Sequence, residues 1–116
     1  MNNYSTNYLK QITIKSGKKS IFYNLNEICS IIEKNNQVIC NLVSQKEIPL
    51  QHDFDTLKQL LLNHNFVLIG QNIIINRNEI KMIRDCEGGA KIYTKCNSII
   101  HVNENYSKLK RELQFV

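Results

Sequence analysis

Apolar residues follow two different periods along this chain, and the segment from residue 66 to 83 shows the shorter one. The apolar runs Phe66–Ile69 and Ile73–Ile75 are short and β-branched, which favours buried strands over a helix. Between them stands Gly70-Gln71-Asn72, and glycine and asparagine favour a turn. The segment therefore predicts two strands joined by a polar corner. That corner either presents Gln71 to a partner or is an ordinary tight turn in a small β domain.

Other apolar runs along the chain predict further strands, each bounded by polar residues. Short or alternating runs indicate strands at Ile12–Ile14, Ser20–Tyr23, Ile28–Ile32, Gln37–Val43, Lys46–Leu50, Lys81–Arg84, Ala90–Lys95 and Ser98–Val102. The first two predict a hairpin across Ser16–Lys19, and Glu33–Asn36 predicts another tight turn. Gly88-Gly89 predicts a hairpin turn between alternating runs, which is a structural role and not a phosphate-binding one.

The period becomes helical in two places. In His52–Asn63, apolar residues recur at helical spacing, and Asp53 or Asp55 can cap the start of the helix. A second stripe repeats near the C-terminus, where Asn103 is the predicted N-cap. The stripes consist of Phe54, Leu57, Leu60 and Leu61, and of Tyr106, Leu109 and Leu113. The predicted fold class is mainly β (α+β), a mostly antiparallel domain with one internal and one C-terminal helix. Residues 1–9 are predicted to form a flexible tail, and residues 10–116 one domain.

Composition limits the function classes without choosing among them. Fifteen basic and ten acidic residues give a formal net charge of +5, which is compatible with polyanion binding and with many unrelated proteins. No apolar run approaches the ~18 residues of a membrane span, and residues 1–10 lack the apolar stretch of a secretory signal. The expected location is the cytoplasm, with no membrane partner.

The residue types used for catalysis and metal binding are scattered. The four cysteines form no CxxC pair, and the three histidines stand far apart. We therefore expect free thiols on strands, no metal and no cofactor. Paired carboxylates, a nucleophile motif and a phosphate-binding glycine loop are all missing. His101 lies in an apolar run, where a packed or edge histidine is commoner than a catalytic base. An enzyme is the least favoured class.

Taken in order, these elements resemble the LytTR-type DNA-binding domain of bacterial response regulators. The resemblance covers about Ile12 to Leu113. It is carried by the helix Phe54–Leu62, then Phe66, the polar corner, Ile75-Asn76 and Ile80, with Leu25–Glu33, Glu87-Gly88-Gly89 and His101–Leu109 agreeing in spacing. The resemblance implies an elongated β-sheet domain that acts as a stand-alone transcriptional regulator. It also implies that loops, and not a recognition helix, enter successive major grooves of double-stranded DNA.

Three polar sites would make these contacts by position. They are Lys34-Asn35-Asn36-Gln37, Gln71-Asn72 and Asn103-Glu104-Asn105, with phosphate contacts expected from Lys34, Arg77, Lys108, Lys110 and Arg111. Regulators of this kind often bind paired sites, so a homodimer is a further expectation.

The contact positions depart from the family pattern. Leu68 and Gly70 stand where arginine and histidine are usual, Gln71-Asn72 replaces an arginine or lysine followed by serine, and Asn103-Glu104-Asn105 replaces Ser-Arg-Arg. Glutamine and asparagine suit adenine, so A·T-rich sites are one hypothesis. Glu104 would repel phosphate, although an acid on the first turn of a helix also stabilises the helix dipole. A protein-interaction or oligomerisation module that has lost sequence-specific DNA binding is the alternative.

Overall fold

The computed structural model describes residues 11–16 and 19–113, with side chains from residue 23 onward. Within these residues the chain forms ten strands, two α-helices and two 3₁₀ turns. The strands are β1 (Gln11–Ser16), β2 (Lys19–Asn24), β3 (Ile28–Lys34), β4 (Gln37–Leu42), β5 (Glu47–Leu50), β6 (Phe66–Ile69), β7 (Ile73–Asn76), β8 (Ile80–Cys86), β9 (Gly89–Thr94) and β10 (Ile99–Val102). The helices are α1 (Phe54–Leu61) and α2 (Tyr106–Leu113), and the 3₁₀ turns are Leu25–Glu27 and Arg77–Glu79.

The strands form three antiparallel sheets. β1 and β2 make a hairpin, the order β5-β4-β3-β7-β6 makes a five-stranded sheet, and β10-β9-β8 makes a three-stranded sheet. The predicted mainly β fold with an internal and a C-terminal helix is confirmed. The predicted tail and residues 17–18 of the first turn lie outside the described residues. Within the described part of the chain, no helix is long and apolar enough to cross a membrane.

The five-stranded sheet is the middle layer, and it carries a hydrophobic core on each face. Along β6, Phe66 and Leu68 face the core that contains α1, whereas Val67 and Ile69 face the core shared with the three-stranded sheet and α2. β7 alternates in the same way, with Ile74 in the first core. Because strand side chains alternate between faces and both faces are covered, both strands need continuous apolar runs. Their short, unbroken apolar sequences follow from this position.

Asn76 is the last residue of β7, and it is only 4 % exposed. Its Nδ2 donates to the carbonyl oxygens of Ile28 at 3.0 Å and Leu25 at 3.5 Å, and its Oδ1 accepts from the backbone N–H of Asn78 at 3.0 Å. A buried amide is stable only when its polar atoms are paired. Asn76 therefore joins the two 3₁₀ turns that precede β3 and β8.

Both helices differ in detail from the prediction. α1 is shorter than His52–Asn63, and the N-cap residue Asp53 makes no side-chain capping bond. The prediction that Asn103 is the N-cap of α2 is wrong. Asn105 caps it, since its Oδ1 accepts from Lys108 N at 3.1 Å and its carbonyl accepts from Leu109 N at 2.9 Å. An asparagine caps best when its oxygen reaches the third helical N–H, and only Asn105 stands at that distance from the first turn. Glu104 consequently precedes the cap instead of lying on the first turn.

Candidate nucleic-acid interface

The turn between β3 and β4 is a two-residue hairpin built from asparagines. Asn35 and Asn36 have φ angles of 54° and 64°, so both residues are left-handed. Two consecutive positive φ angles are typical of the type I′ turn, and asparagine tolerates them better than most residues. The turn leaves the side chains of Lys34 and Gln37 exposed beside the two asparagines.

The corner between β6 and β7 lies next to this hairpin. Gly70 has a φ of 63°, a conformation that favours glycine. Glu33 N donates to Asn72 O at 2.9 Å, and Asn72 Nδ2 donates back to Glu33 O at 3.0 Å. Asn72 therefore fixes the corner to the end of β3 and uses one of its amide hydrogens there. Gln71 remains exposed at the tip.

The segment before α2 closes against the same corner. An open cleft of about 490 Å³ lies between residues 69–73 and residues 101–104. A Cβ atom at Gly70 would stand 4.0 Å from Glu104 Oε1, so the Glu104 carboxylate borders the corner directly. We call residues 34–37, 70–72 and 103–105 together the polar edge. All three predicted contact segments thus lie along one side of the molecule.

The polar edge carries little net positive charge. Lys108 Nζ lies 3.4 Å from Glu104 and 3.8 Å from Glu112, so two carboxylates offset its charge. Arg77 lies at the other end of α2, where its guanidinium donates to the carbonyl oxygen of Leu113. Among the described residues of the edge, Lys34 is the cation that takes part in no ion pair. The charge of Lys108, the cation beside Glu104, is therefore offset by carboxylates.

The match to known proteins agrees with this arrangement. A sequence model of the LytTr DNA-binding domain matches residues 18–114. This chain belongs to the LytTr DNA-binding domain family. Its fold is similar to that of the LytTr DNA-binding domain of a methyl-accepting/DNA response regulator from Bacillus cereus. The TM-score is 0.74 at 18% identity, over 92% of this chain and 98% of that one. No curated protein matches the chain significantly. Membership of this family supports a DNA-binding transcription regulator.

One row of basic side chains in this LytTr domain was not predicted from the sequence. Arg84 pairs with Lys91 across β8 and β9, and Lys91 pairs with His101 across β9 and β10. Directly opposed residues on antiparallel strands share a face, so the three form one row across the sheet. His101 also lines the cleft at the polar edge. Counting outward in register from the turn at Gly88-Gly89 would have revealed the pairing of Arg84 with Lys91.

The placement of the predicted contact residues is therefore mixed. The polar edge brings most of them together: Lys34, Asn35, Asn36, Gln37, Gln71, Asn72, Asn103 and Asn105. Lys108 lies at the first turn of α2 but is held in two ion pairs, and Arg77 lies elsewhere. The Glu104–Lys108 and Lys108–Glu112 pairs have the i,i+4 spacing of helical ion pairs, a signal visible in the sequence.

Proposed function

We propose that this LytTr domain regulates transcription by binding double-stranded DNA with its polar edge, whose segments enter successive major grooves. The observation that carries the proposal is the convergence of three exposed polar segments on one side of the fold. Each is held by defined contacts: the left-handed hairpin at Asn35-Asn36, the Asn72–Glu33 bonds, and the Asn105 cap. Rigid presentation reduces the ordering cost of binding.

Of the three edge amides Gln71, Asn72 and Asn105, Gln71 is the best placed to recognise a base. The side chain of Asn72 already donates one amide hydrogen to the Glu33 carbonyl, and the amide oxygen of Asn105 already accepts from the backbone N–H of Lys108. Gln71 is exposed at the tip of the corner. A glutamine can donate to N7 and accept from N6 of adenine, which favours A·T base pairs. We therefore assign adenine recognition to Gln71 and positioning to Asn72 and Asn105.

Phosphate contacts would come from the hairpin and from the basic row. Lys34 lies in the hairpin segment of the polar edge. The basic row begins at His101, which lines the cleft beside the corner, and continues across the sheet through Lys91 to Arg84. Lys34, Arg84 and Lys91 would supply positive charge in place of the arginines that the polar edge lacks. Each phosphate that is neutralised releases counterions, so binding should weaken as salt rises.

The test is a fluorescence-anisotropy titration of the protein with labelled duplexes, one A·T-rich and one G·C-rich, at low and at physiological salt. We expect salt-dependent binding that is tighter to the A·T-rich duplex. Gln71→Ala should lower the preference for that duplex by about 5- to 150-fold, the worth of one good bidentate base contact, and leave the salt slope unchanged. Lys91→Ala should weaken binding to both duplexes and reduce the slope by about one.

Two control variants separate these effects from general damage. Gln59→Ala removes an exposed amide from α1, and Lys46→Ala removes an exposed cation from the turn before β5. Both should bind like the unaltered protein. Absence of DNA binding at low salt would overturn the proposal. Equal loss in Lys46→Ala and Lys91→Ala would overturn the role of the basic row.

A protein-interaction module is the second candidate, because an apolar row accompanies the basic one. Met82 pairs with Tyr93, and Tyr93 pairs with Ile99, across the same three strands. Met82 is 42 % and Ile99 51 % exposed. Exposed apolar groups in contact can mark an interface. Light scattering coupled to size exclusion, with and without DNA, distinguishes the candidates. Oligomers that form without DNA, and that the substitution Ile99→Lys dissociates, would favour the protein-interaction module. A protein that is monomeric alone and dimerises only on a duplex with two sites would favour a DNA-bound homodimer.

A further inference from the structure

Two thiols and a carboxylate meet between the five-stranded and the three-stranded sheets. Cys29 comes from β3, Glu79 from the 3₁₀ turn before β8, and Cys96 from the turn between β9 and β10. Their ligand atoms all lie within 4.8 Å of one another, and the two Sγ atoms are 3.4 Å apart. The two cysteines are 67 positions apart in the sequence. Sequence spacing alone therefore gave no sign of this cluster.

Local backbone irregularities place these side chains. The register of β3 against β4 shifts between Ile28 and Ser30, so Cys29 is the extra residue of a β-bulge. Bulges redirect a side chain and are common beside functional sites. Lys95 N donates to Glu79 O at 2.8 Å, which joins the 3₁₀ turn to the end of β9. Gln45 Nε2 donates to Cys96 O at 2.8 Å and holds the turn from its other side.

Hydroxyl groups surround the Cys96 sulfur. Thr94 Oγ1 lies 3.3 Å and Ser98 Oγ 3.8 Å from Cys96 Sγ, and the two hydroxyl oxygens are 2.6 Å apart. Hydrogen-bond partners of this kind orient metal ligands in proteins.

We propose that Cys29, Cys96 and Glu79 bind one soft divalent cation of the Zn²⁺ class. Two thiolates and one carboxylate are ligands that zinc accepts, and three protein ligands leave a fourth position for water. Sulfurs bound to one tetrahedral zinc stand about 3.8 Å apart, so the pair needs to open by only a few tenths of an ångström. On binding, the two thiols release their protons to solvent, and the carboxylate binds as it is.

The cluster is accessible from solvent on one side. Cys96 and Ser98 line an open cleft of about 570 Å³ between the two sheets, together with Ile32, Asn41 and Ile99. Cys29 is fully buried behind them. An ion can therefore reach Cys96 first and Cys29 last.

A bound ion would join the two sheets at the end away from the polar edge. Cys29 lies near the start of β3, and the hairpin at Asn35-Asn36 follows the end of that strand. Cys96 precedes β10, and Asn103 follows it. Metal binding should therefore stabilise the fold without blocking the DNA-binding edge, and the proposal does not depend on DNA binding.

The test uses Co²⁺ as a spectroscopic substitute for Zn²⁺, added to the full chain with its thiols kept reduced. We expect one Co²⁺ per chain, with the visible absorption of tetrahedral cobalt, the ultraviolet charge-transfer band of cobalt–thiolate bonds, and displacement of cobalt by Zn²⁺. About two protons should be released per ion. Zn²⁺ should also raise the thermal unfolding midpoint, because it binds only the folded site.

Three single cysteine variants, which each keep three thiols, and one glutamate variant identify the ligands. Loss of an outer-shell partner already weakens metal binding about 10- to 100-fold, so Cys29→Ser and Cys96→Ser should each weaken Co²⁺ binding by at least about 100-fold. Glu79→Gln should weaken it about tenfold or more and keep the thiolate band. Cys86→Ser removes a thiol at the end of β8 and should change nothing. Cys96 is part-exposed, so its variant tests the proposal even where Cys29→Ser misfolds. Binding without a thiolate band, equal binding in Cys96→Ser, or a Cys29–Cys96 disulfide formed in place of metal binding would each overturn the proposal.

Discussion

Glu104 is the residue of the polar edge whose charge opposes DNA binding most directly. Its carboxylate borders Gly70 at the corner and is paired with Lys108 at 3.4 Å. Glu104→Gln keeps the shape and removes the charge. It eliminates repulsion between this side chain and an approaching phosphate, and it leaves Lys108 with Glu112 as its remaining partner, at 3.8 Å.

The size of the effect follows from Coulomb's law. For a phosphate about 6 Å from the carboxylate, the repulsion is ~0.7 kcal/mol in bulk water and ~3 kcal/mol at the effective dielectric constant of a protein surface. Screening at physiological salt roughly halves both values. We therefore expect Glu104→Gln to tighten DNA binding by ~0.4–1.5 kcal/mol, or about 2- to 12-fold. The lost surface ion pair should cost under ~1 kcal/mol of folding free energy.

The assay is the anisotropy titration at two salt concentrations, with Glu112→Gln as the matched control. Glu112 lies two helical turns beyond Glu104, and its removal releases Lys108 to a similar degree. The control should therefore change affinity by less than about twofold. If Glu104→Gln binds DNA no tighter than the unaltered protein at either salt, the carboxylate does not face phosphate and the polar edge is not the binding surface.

The remaining predictions concern stability and use urea unfolding. Asn76→Ala removes three hydrogen bonds, and the buried Ile28 carbonyl loses its side-chain donor, whereas the Leu25 carbonyl still accepts from Ile28 N. The change should cost ~2–4 kcal/mol, and Asn78→Ala, at an exposed position, should cost under ~1 kcal/mol. Equal costs would contradict the role of the buried amide. Leu57 is 1 % exposed and Leu60, on the same helix, is 50 % exposed. Leu57→Ala should therefore lower the free energy of unfolding by ~2–5 kcal/mol, and Leu60→Ala by under ~1 kcal/mol. Similar losses of stability would mean that α1 does not pack as described. Burial raises the pKa of Cys40 to about 12 from its ordinary 9.0. Between these values the unfolded chain loses a proton that the folded chain keeps, so stability should fall as pH rises above 9. Cys40→Ala should show a shallower fall, and an unchanged slope would refute the assignment.

The sequence predicted the strands and turns well because each depends on local patterns. The apolar runs of β6 and β7, the glycine at position 70 and the asparagines at 35 and 36 all indicate their backbone conformation directly. The order and spacing of these strands, helices and turns were then sufficient to identify the family. The cap of α2 was misplaced by two residues because Asn103 and Asn105 are chemically identical and only the backbone path distinguishes them.

Features that depend on distant parts of the chain could not be predicted in this way. The approach of Cys96 to Cys29 requires the packing of two sheets and a bulge in β3. The attachment of Arg77 to the end of α2 requires the helix to return beside β8. Arg77 was expected to contact phosphate from its charge alone. Its hydrogen bond to Leu113 instead gives it a structural contact, and its role in DNA binding stays a prediction.

The two-sided burial of β7 has a consequence for motion. Ile73, Ile74 and Ile75 belong alternately to the two cores, and β7 is hydrogen-bonded to β3 on one side and β6 on the other. Neither core can open without exposing this strand, so the two cores should unfold as one cooperative unit. The amide hydrogens of these residues should then exchange with solvent only by global unfolding. The corner that carries Gln71 is attached to the slowest-exchanging strand, so its position should fluctuate little on the timescale of binding.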